Sequence, residues 1–268
     1  MCNPKNYIKE RNYKMILHSV QGIDDMDSWF EKAPPLGGEE HWKPGRSAYE
    51  LAAYMTKSLD TAPAEIEQAL RDAGVNTSQC FDWGGEIVTD FAGQGLGIGS
   101  GRHHHAALWN DDVFVGIVAK ADEELDDTAD KWLSSVSGNQ SQFANRKKRL
   151  DGLCQMIYGK DYDGGKYGEI RYQLLTALGG VLLEAGRCSK SWEEKRKTAV
   201  LLIMTFLKKD SDGRPYTSGD KVKRNKEDIL RFQNSLPGWD ERILRADTAF
   251  GLTNHIATFV RHITINLG

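Results

Sequence analysis

An α/β fold, built on a mixed central sheet flanked by helices with an extra helical layer, is predicted by three observations. Residues 106–109 and 113–119 are short apolar runs separated by Asn110-Asp111-Asp112, the signature of a β-hairpin. Residues 198–207, TAVLLIMTFL, are apolar without interruption, as in a strand covered on both faces. Between them, residues 169–187 form a helix whose apolar positions nearly surround it, which places it at the centre of the molecule.

The remaining elements follow in chain order. Residues 14–20, KMILHSV, read as a first strand, and residues 24–32 as a short amphipathic helix whose leading aspartates suit a helix N-terminus. Pro34, Pro35, Gly37 and Gly38 make a loop. Ser47-Ala48-Tyr49-Glu50 has the form of a capping box opening a helix that runs to about Leu59. A second helix starts near Pro63 and ends at Gly74. Residues 86–91 form a strand, and the Gly run 93–101 a mobile loop, since neither a Walker nor a dinucleotide-binding pattern fits it. Helices follow over 126–136 and 141–158, then a glycine-rich break over 159–168. Beyond the apolar strand come a loop over 210–220, a helix over 226–236 and a last strand over 256–265. No repeat or linker divides the chain, so one domain over 1–268 is expected.

Composition sets limits. The chain has 268 residues, 40% hydrophobic and 27% charged, enough apolar material for a sizeable core. No apolar run reaches transmembrane length, and the first residues lack the apolar core of a secretory signal. Cys2, Cys80, Cys154 and Cys188 show no metal-ligand spacing, so reduced thiols and a cytoplasmic location are expected. The net charge of −3 and the pI of about 6.2 argue against a broad phosphate track. They leave room for a narrow positive cleft. The basic runs 146–149 and 221–226 read as solvated faces.

Chemistry concentrates after the hairpin. Lys120 ends a strand of buried character, and an ammonium there needs a partner or a function. Its simplest partners are Asp122, Glu123 or Glu184. His103, His104 and His105 precede the hairpin; alternation along a strand prevents all three from converging on one metal, so substrate contact or a polar loop is the better reading. Glu50 is read chiefly as a helix cap.

Several blocks, in order, resemble the PD-(D/E)xK nuclease superfamily and, more narrowly, an uncharacterised bacterial family of restriction-enzyme-like proteins. His41-Trp42-Lys43-Pro44-Gly45, with Ser47-Ala48 and Leu51-Ala52, is similar to an HW-x-PG-x-SA-xx-LA start. Residues 118–123, VAKADE, resemble a strand end of the form E-G/A-K-x-DE. Trp132-Leu133 and Arg149-Leu150 match later positions, and Arg171-Tyr172-Gln173-Leu174-Leu175 with Leu183-Glu184-Ala185 resembles an RYQLL helix. The resemblance covers about 14–207 and implies a restriction-endonuclease-like fold. In such nucleases an Asp and a Glu-x-Lys on adjacent strands hold a divalent cation beside the scissile phosphate, and the lysine positions water or stabilises charge.

The departures decide the functional expectation. Val118 stands where the Glu belongs, and Ala106 or Ala107 where the strand Asp belongs. Lys120 and Gln173, with Arg171, carry over. No metal is therefore expected at the usual place; a relocated site would draw on Glu50, Asp111, Asp112, Asp122 and Glu123 and would use Mg²⁺. The first expectation is a degenerate nuclease-like protein, inactive in hydrolysis, that binds DNA or a protein partner, with phage–bacterium conflict as the setting implied by the resemblance. The alternatives are an active Mg²⁺-dependent endonuclease with relocated carboxylates and a structural homodimer subunit. The last would use C-terminal residues such as Trp239, Phe250 and Phe259, which equally suit a core.

Overall fold

The computed structural model describes residues 14–187, 197–208, 218–237 and 256–267. Six strands form one mixed sheet in sequential order: β1 (Ile16–Ser19), β2 (Cys80–Thr89), β3 (Arg102–Trp109), β4 (Val113–Lys120), β5 (Thr198–Lys208) and β6 (Thr258–Leu267). The central β2-β3-β4 meander is antiparallel, and the β1/β2, β4/β5 and β5/β6 pairs are parallel. Parallel neighbours need crossovers, and here they supply both helical layers. Helices α1 (Met26–Lys32), α2 (Ser47–Met55) and α3 (Ala64–Asp72) connect β1 to β2 and bury Trp29, Leu51, Ile66 and Leu70 against one face. Helices α4 (Ala129–Ser134), α5 (Gln140–Tyr158), α6 (Gly164–Tyr167) and α7 (Tyr172–Arg187) connect β4 to β5 and cover the other, where α8 (Gly219–Ser235) adds Ile229 and Phe232. The sheet is thus α/β with helices on both faces. Among the described residues no helix is long and apolar enough to cross a membrane.

Helix α7 is central, as its apolar girth predicts. It lies between the sheet and α5, and glycines make the approach possible. A Cβ at Gly179 would sit 2.3 Å from Leu153, and one at Gly180 2.8 Å from the His104 ring. Gly116 on β4 meets α7 from below, where a Cβ would come 2.5 Å from Val181.

Several elements differ in extent from the sequence expectation. Strand β2 begins at Cys80 rather than at residue 86. Its first half alternates Phe81 and Trp83 inward with small or polar residues, and Gly84-Gly85 masks the pattern. A side chain at Gly85 would enter the Trp29 ring, at 2.7 Å. Helix α8 starts seven residues before the expected position, at Gly219 rather than residue 226. The capping box over residues 47–50 does not form. Arg46 is the N-cap without a side-chain bond. The Ser47 hydroxyl instead donates to Glu123 and accepts from Ala121 N at 3.3 Å, while Glu50 accepts from Gly45 N at 2.7 Å. The Gly run 93–101 is tethered: Arg149 donates to the carbonyls of Leu96, Ser100 and Ile98 at 3.0, 3.2 and 3.2 Å. Asn145 bonds both backbone groups of Ile98. Trp239 and Phe250 lie outside the described residues, as does most of the expected loop at 210–220; Phe259 is buried in the α1–α3 core.

The outer edge of β1 is closed by its own chain. Leu17 N donates to Asp60 O at 3.0 Å and Ala62 N to Met15 O at 2.9 Å. Ile16 and Thr61 form a bridge there.

Candidate functional site

Alternation breaks in β2 and β3 at the same level. Phe81 and Trp83 face the α1–α3 core, but Ile87, of the same parity, packs into the α5/α7 core. On β3, Ala106 and Leu108 face the α1–α3 core, whereas Arg102 and His104 lie against Gly180 of α7. The switch falls between the pairs Gly85↔Ala106 and Ile87↔His104, that is, at Glu86 and His105. Glu86 has φ +47°, a left-handed conformation that costs a non-glycine residue about 1–2 kcal/mol. Such strain persists where surrounding structure enforces it, and it clusters at binding and catalytic sites.

This step in the sheet opens a cleft of about 540 Å³. Glu86, Arg102, His103, His105 and Lys120 form its strand side, and Gln173 of α7 closes one flank. Pro35-Leu36-Gly37 and His41, on the connection from α1 to α2, and Arg46-Ser47-Ala48 at the start of α2 form the other. Glu123, Glu124 and Asp126, just beyond β4, complete it.

Two cations are buried in its wall without a carboxylate partner among the described residues. The Lys120 ammonium is 5% exposed and donates to the carbonyl of Glu124 at 3.0 Å. Burial lowers its pKa, opposed by Asp126 and Glu123. Among the described residues Lys120 forms no ion pair with Asp122, Glu123 or Glu184, the partners expected for it. Asp122 takes Lys221 at 3.3 Å and Ser218 N at 2.9 Å. Glu123 takes Ser47 and, at 3.5 Å, Arg46. Glu124 takes Arg224 at 2.7 Å. Arg102 is 9% exposed, and its Nε and Nη2 have no hydrogen-bond partner. A buried donor left unmade costs about 1–3 kcal/mol, more when charged. Burial brings the Arg102 pKa down to about 10, with Asp126 and Glu86 pulling the other way, so the guanidinium stays charged at neutral pH. Gln173, 7% exposed, leaves Oε1 unpartnered as well.

Three further groups of the cleft, Glu86, His103 and His105, are shifted toward their neutral forms. Burial pushes the Glu86 carboxyl up to about 8, against the pull of Arg102. Burial, then Arg102 and Lys120, drive the His105 ring well below its ordinary value. His105 Nδ1 accepts from Ala119 N at 3.4 Å, which leaves the proton on Nε2. His103 is lowered by burial and by Arg102, and stands 3.9 Å from Glu86 Oε2.

The positions predicted from sequence separate into two groups. Lys120, Gln173, His103, His105 and Glu123 meet in the cleft. The rest do not line it. His104 is fully buried, with Nε2 bonded to Thr89 Oγ1 at 3.2 Å, and its ring packs against α7. Arg171 is spent on Asp228 at 2.7 Å and the Asp126 carbonyl at 3.0 Å. Glu50 is buried on Gly45 N. Asp111 and Asp112 sit in the β3-β4 turn, at the end of the hairpin away from Lys120. Val118 and Ala107 lie in the α5/α7 core and Ala106 in the α1–α3 core. Glu86 and Arg102 are site residues that the sequence reading passed over. The signal for Arg102 is the one used for Lys120: a charge at the end of a strand whose interior is apolar.

Magnesium, which the resemblance ties to active nucleases, does not fit this donor set. Val118, Ala106 and Ala107, the positions that the resemblance would give to ligands, are buried and apolar; Glu86 is pushed toward its protonated form, Glu123 and Glu124 are engaged by Ser47 and Arg224, and Asp126 is left as a further lining carboxylate. Among the described residues no group of three or more His, Cys, Asp and Glu side chains is arranged to hold a metal.

Fold and site together define an α/β protein with a cation-walled cleft where two antiparallel strands change face. A family model described as "Domain of unknown function (DUF6946)" matches residues 22–254, and the chain belongs to that family. Neither a curated protein nor a solved structure matches the chain.

Proposed function

We propose that this protein is a catalytically inactive relative of the PD-(D/E)xK nucleases that binds nucleic acid through its cleft. The observation that carries the reading is the pair of buried cations, Arg102 and Lys120, lining one cleft with no ion-pair partner among the described residues. Buried charge without a counter-ion is costly, and an anionic ligand supplies what the protein omits. The resemblance adds the ligand class, since Lys120 stands where nucleases place the lysine that faces the phosphate. A mildly negative chain suits a narrow cleft of this kind better than an extended basic face.

The test is binding of a labelled oligonucleotide across a salt series. Affinity should fall as salt rises, and Arg102→Gln and Lys120→Met should each weaken it about tenfold or more. Binding that ignores both substitutions would remove the reading. The same cleft carries Glu86, Glu123 and Asp126, so the oligonucleotide is also incubated with Mg²⁺ or Mn²⁺. Metal-dependent cleavage that disappears with Lys120→Met would replace an inactive relative with an active nuclease.

A further inference from the structure

We propose that the cleft receives a terminal phosphate monoester of a nucleoside, rather than a phosphodiester inside a strand. The inference rests on the reading that the cleft binds nucleic-acid phosphate and names which phosphate. The unpartnered atoms of Arg102 are Nε and Nη2. These two N–H groups lie on the same edge of a guanidinium and point in parallel, the fork that grips two oxygens of one phosphate. That edge is itself buried, so the side chain, which already forms part of the cleft wall, must rotate its guanidinium to present the fork to a ligand. Lys120 supplies a second positive charge and His105 an Nε2–H from the same strand side. Two cations match a monoester, which carries between one and two negative charges at neutral pH, better than a diester, which carries one.

Depth argues in the same direction. Arg102, Lys120 and Gln173 are all more than nine-tenths buried. An internal phosphate has chain leaving on both sides and needs a groove open at both ends. A terminal one presents three oxygens and trails a single chain. The cleft has one apolar rim for the attached nucleoside, Pro35-Leu36, with Leu36 79% exposed. The carboxylates around it leave the two cations largely uncancelled: Glu123 is held by Ser47 and Arg46, Glu124 by Arg224, and Glu86 keeps its proton. Asp126, exposed beyond β4, acts on both cations and is the first of the charges that favour their ionised forms.

The experiment uses the full chain and one oligonucleotide sequence in three forms: 5′-phosphorylated, 3′-phosphorylated, and with hydroxyls at both ends. Adenosine 5′-monophosphate and adenosine serve as competitors. At least one phosphorylated form should bind more than about tenfold tighter than the hydroxyl form, and Arg102→Gln or Lys120→Met should abolish the difference. Arg102→Lys, which keeps the charge and loses the fork, should abolish most of it, with thermal melting as the check on folding. Competition by the monophosphate and not by adenosine would support the proposal with a free nucleotide as the source. Preference for a phosphorylated oligonucleotide without such competition would support it with a polynucleotide end as the source. Equal, cleft-dependent binding of all three oligonucleotides would overturn this inference while leaving nucleic-acid binding intact. No cleft-dependent binding at all would overturn both.

Discussion

Two buried arginines, one on each side of α7, live in opposite ways. Arg149 of α5 spends its guanidinium on three carbonyls of the 93–101 run and stacks over Phe91, 5.6 Å from the ring centre. Arg102 of β3 is as deeply placed but keeps one whole edge unused. The first is a structural peg: the glycines at 95, 97 and 99, all at positive φ, bend the chain so that its carbonyls converge on the cation. The second keeps Nε and Nη2 buried and without a partner, the two donors that the proposed ligand would engage. Burial alone therefore does not tell a binding residue from a structural one; the hydrogen-bond account does.

Substitutions should make that contrast measurable, starting with the peg. Arg149→Met removes three charge-assisted bonds and leaves their carbonyls without the partner that gathers them. A loss of about 3 kcal/mol or more in urea unfolding is expected, with faster amide exchange over residues 95–101. A loss under 1 kcal/mol would mean that the loop holds itself together and that the contrast is false.

Proton linkage gives the next largest effect. The folded Glu86 carboxyl keeps its proton to about pH 8, whereas in the unfolded chain it ionises near 4.5. Between those values the folded state binds more protons, so stability falls as pH rises through the window. The contribution from Glu86 should be on the order of a few kcal/mol, and Glu86→Gln should flatten it. An unchanged slope in that variant would show that Glu86 is ionised in the fold.

Packing behind the site comes third. Gly180→Ala would place a methyl 2.8 Å from His104 Nε2 and 3.2 Å from Arg102 Cγ, and the His104 ring is fixed by Thr89. A cost of about 1–3 kcal/mol is expected from overpacking, together with weaker ligand binding, because Arg102 shares the collision. Loss of stability with binding untouched would separate Arg102 from the α7 interface. Smaller still is the backbone term: at φ +47°, Glu86→Gly should be more stable than Glu86→Ala by about 1 kcal/mol. The reverse order would remove the argument for strain. The smallest effect closes the comparison. Arg102→Met should change stability by less than about 1 kcal/mol, or raise it, since the cation it deletes has an unsatisfied edge.

What the sequence disclosed follows the range of the forces involved. Gln173 is singled out by the resemblance, whereas the β3-β4 hairpin, the central α7, the covered β5 and the placement of Lys120 depend on periodicity and local turn chemistry, which a single chain displays. The fate of Ser47 and Glu50 does not. Their spacing is that of a capping box, but Ser47 bonds Glu123, 76 residues away, and no local pattern announces that competition. The pairing of Arg171 is equally hidden from the sequence, since its partner Asp228 lies on α8. His104 was grouped with its neighbours although alternation turns it toward α7, while Glu86 and Arg102 went unnoticed. Their importance arises only when two strands change face together, and that register is a property of the pair.

The closed rim at β1 limits how copies of this chain can associate. Among the described residues, 60–62 occupy backbone groups along that side of the sheet, which leaves the border beyond β6 for strand addition. A ribbon growing without end requires two sticky borders per molecule, whereas a single one is used up by a symmetric pair. Among the described residues, a symmetric pair joined through the border beyond β6 would use it up and close at two copies.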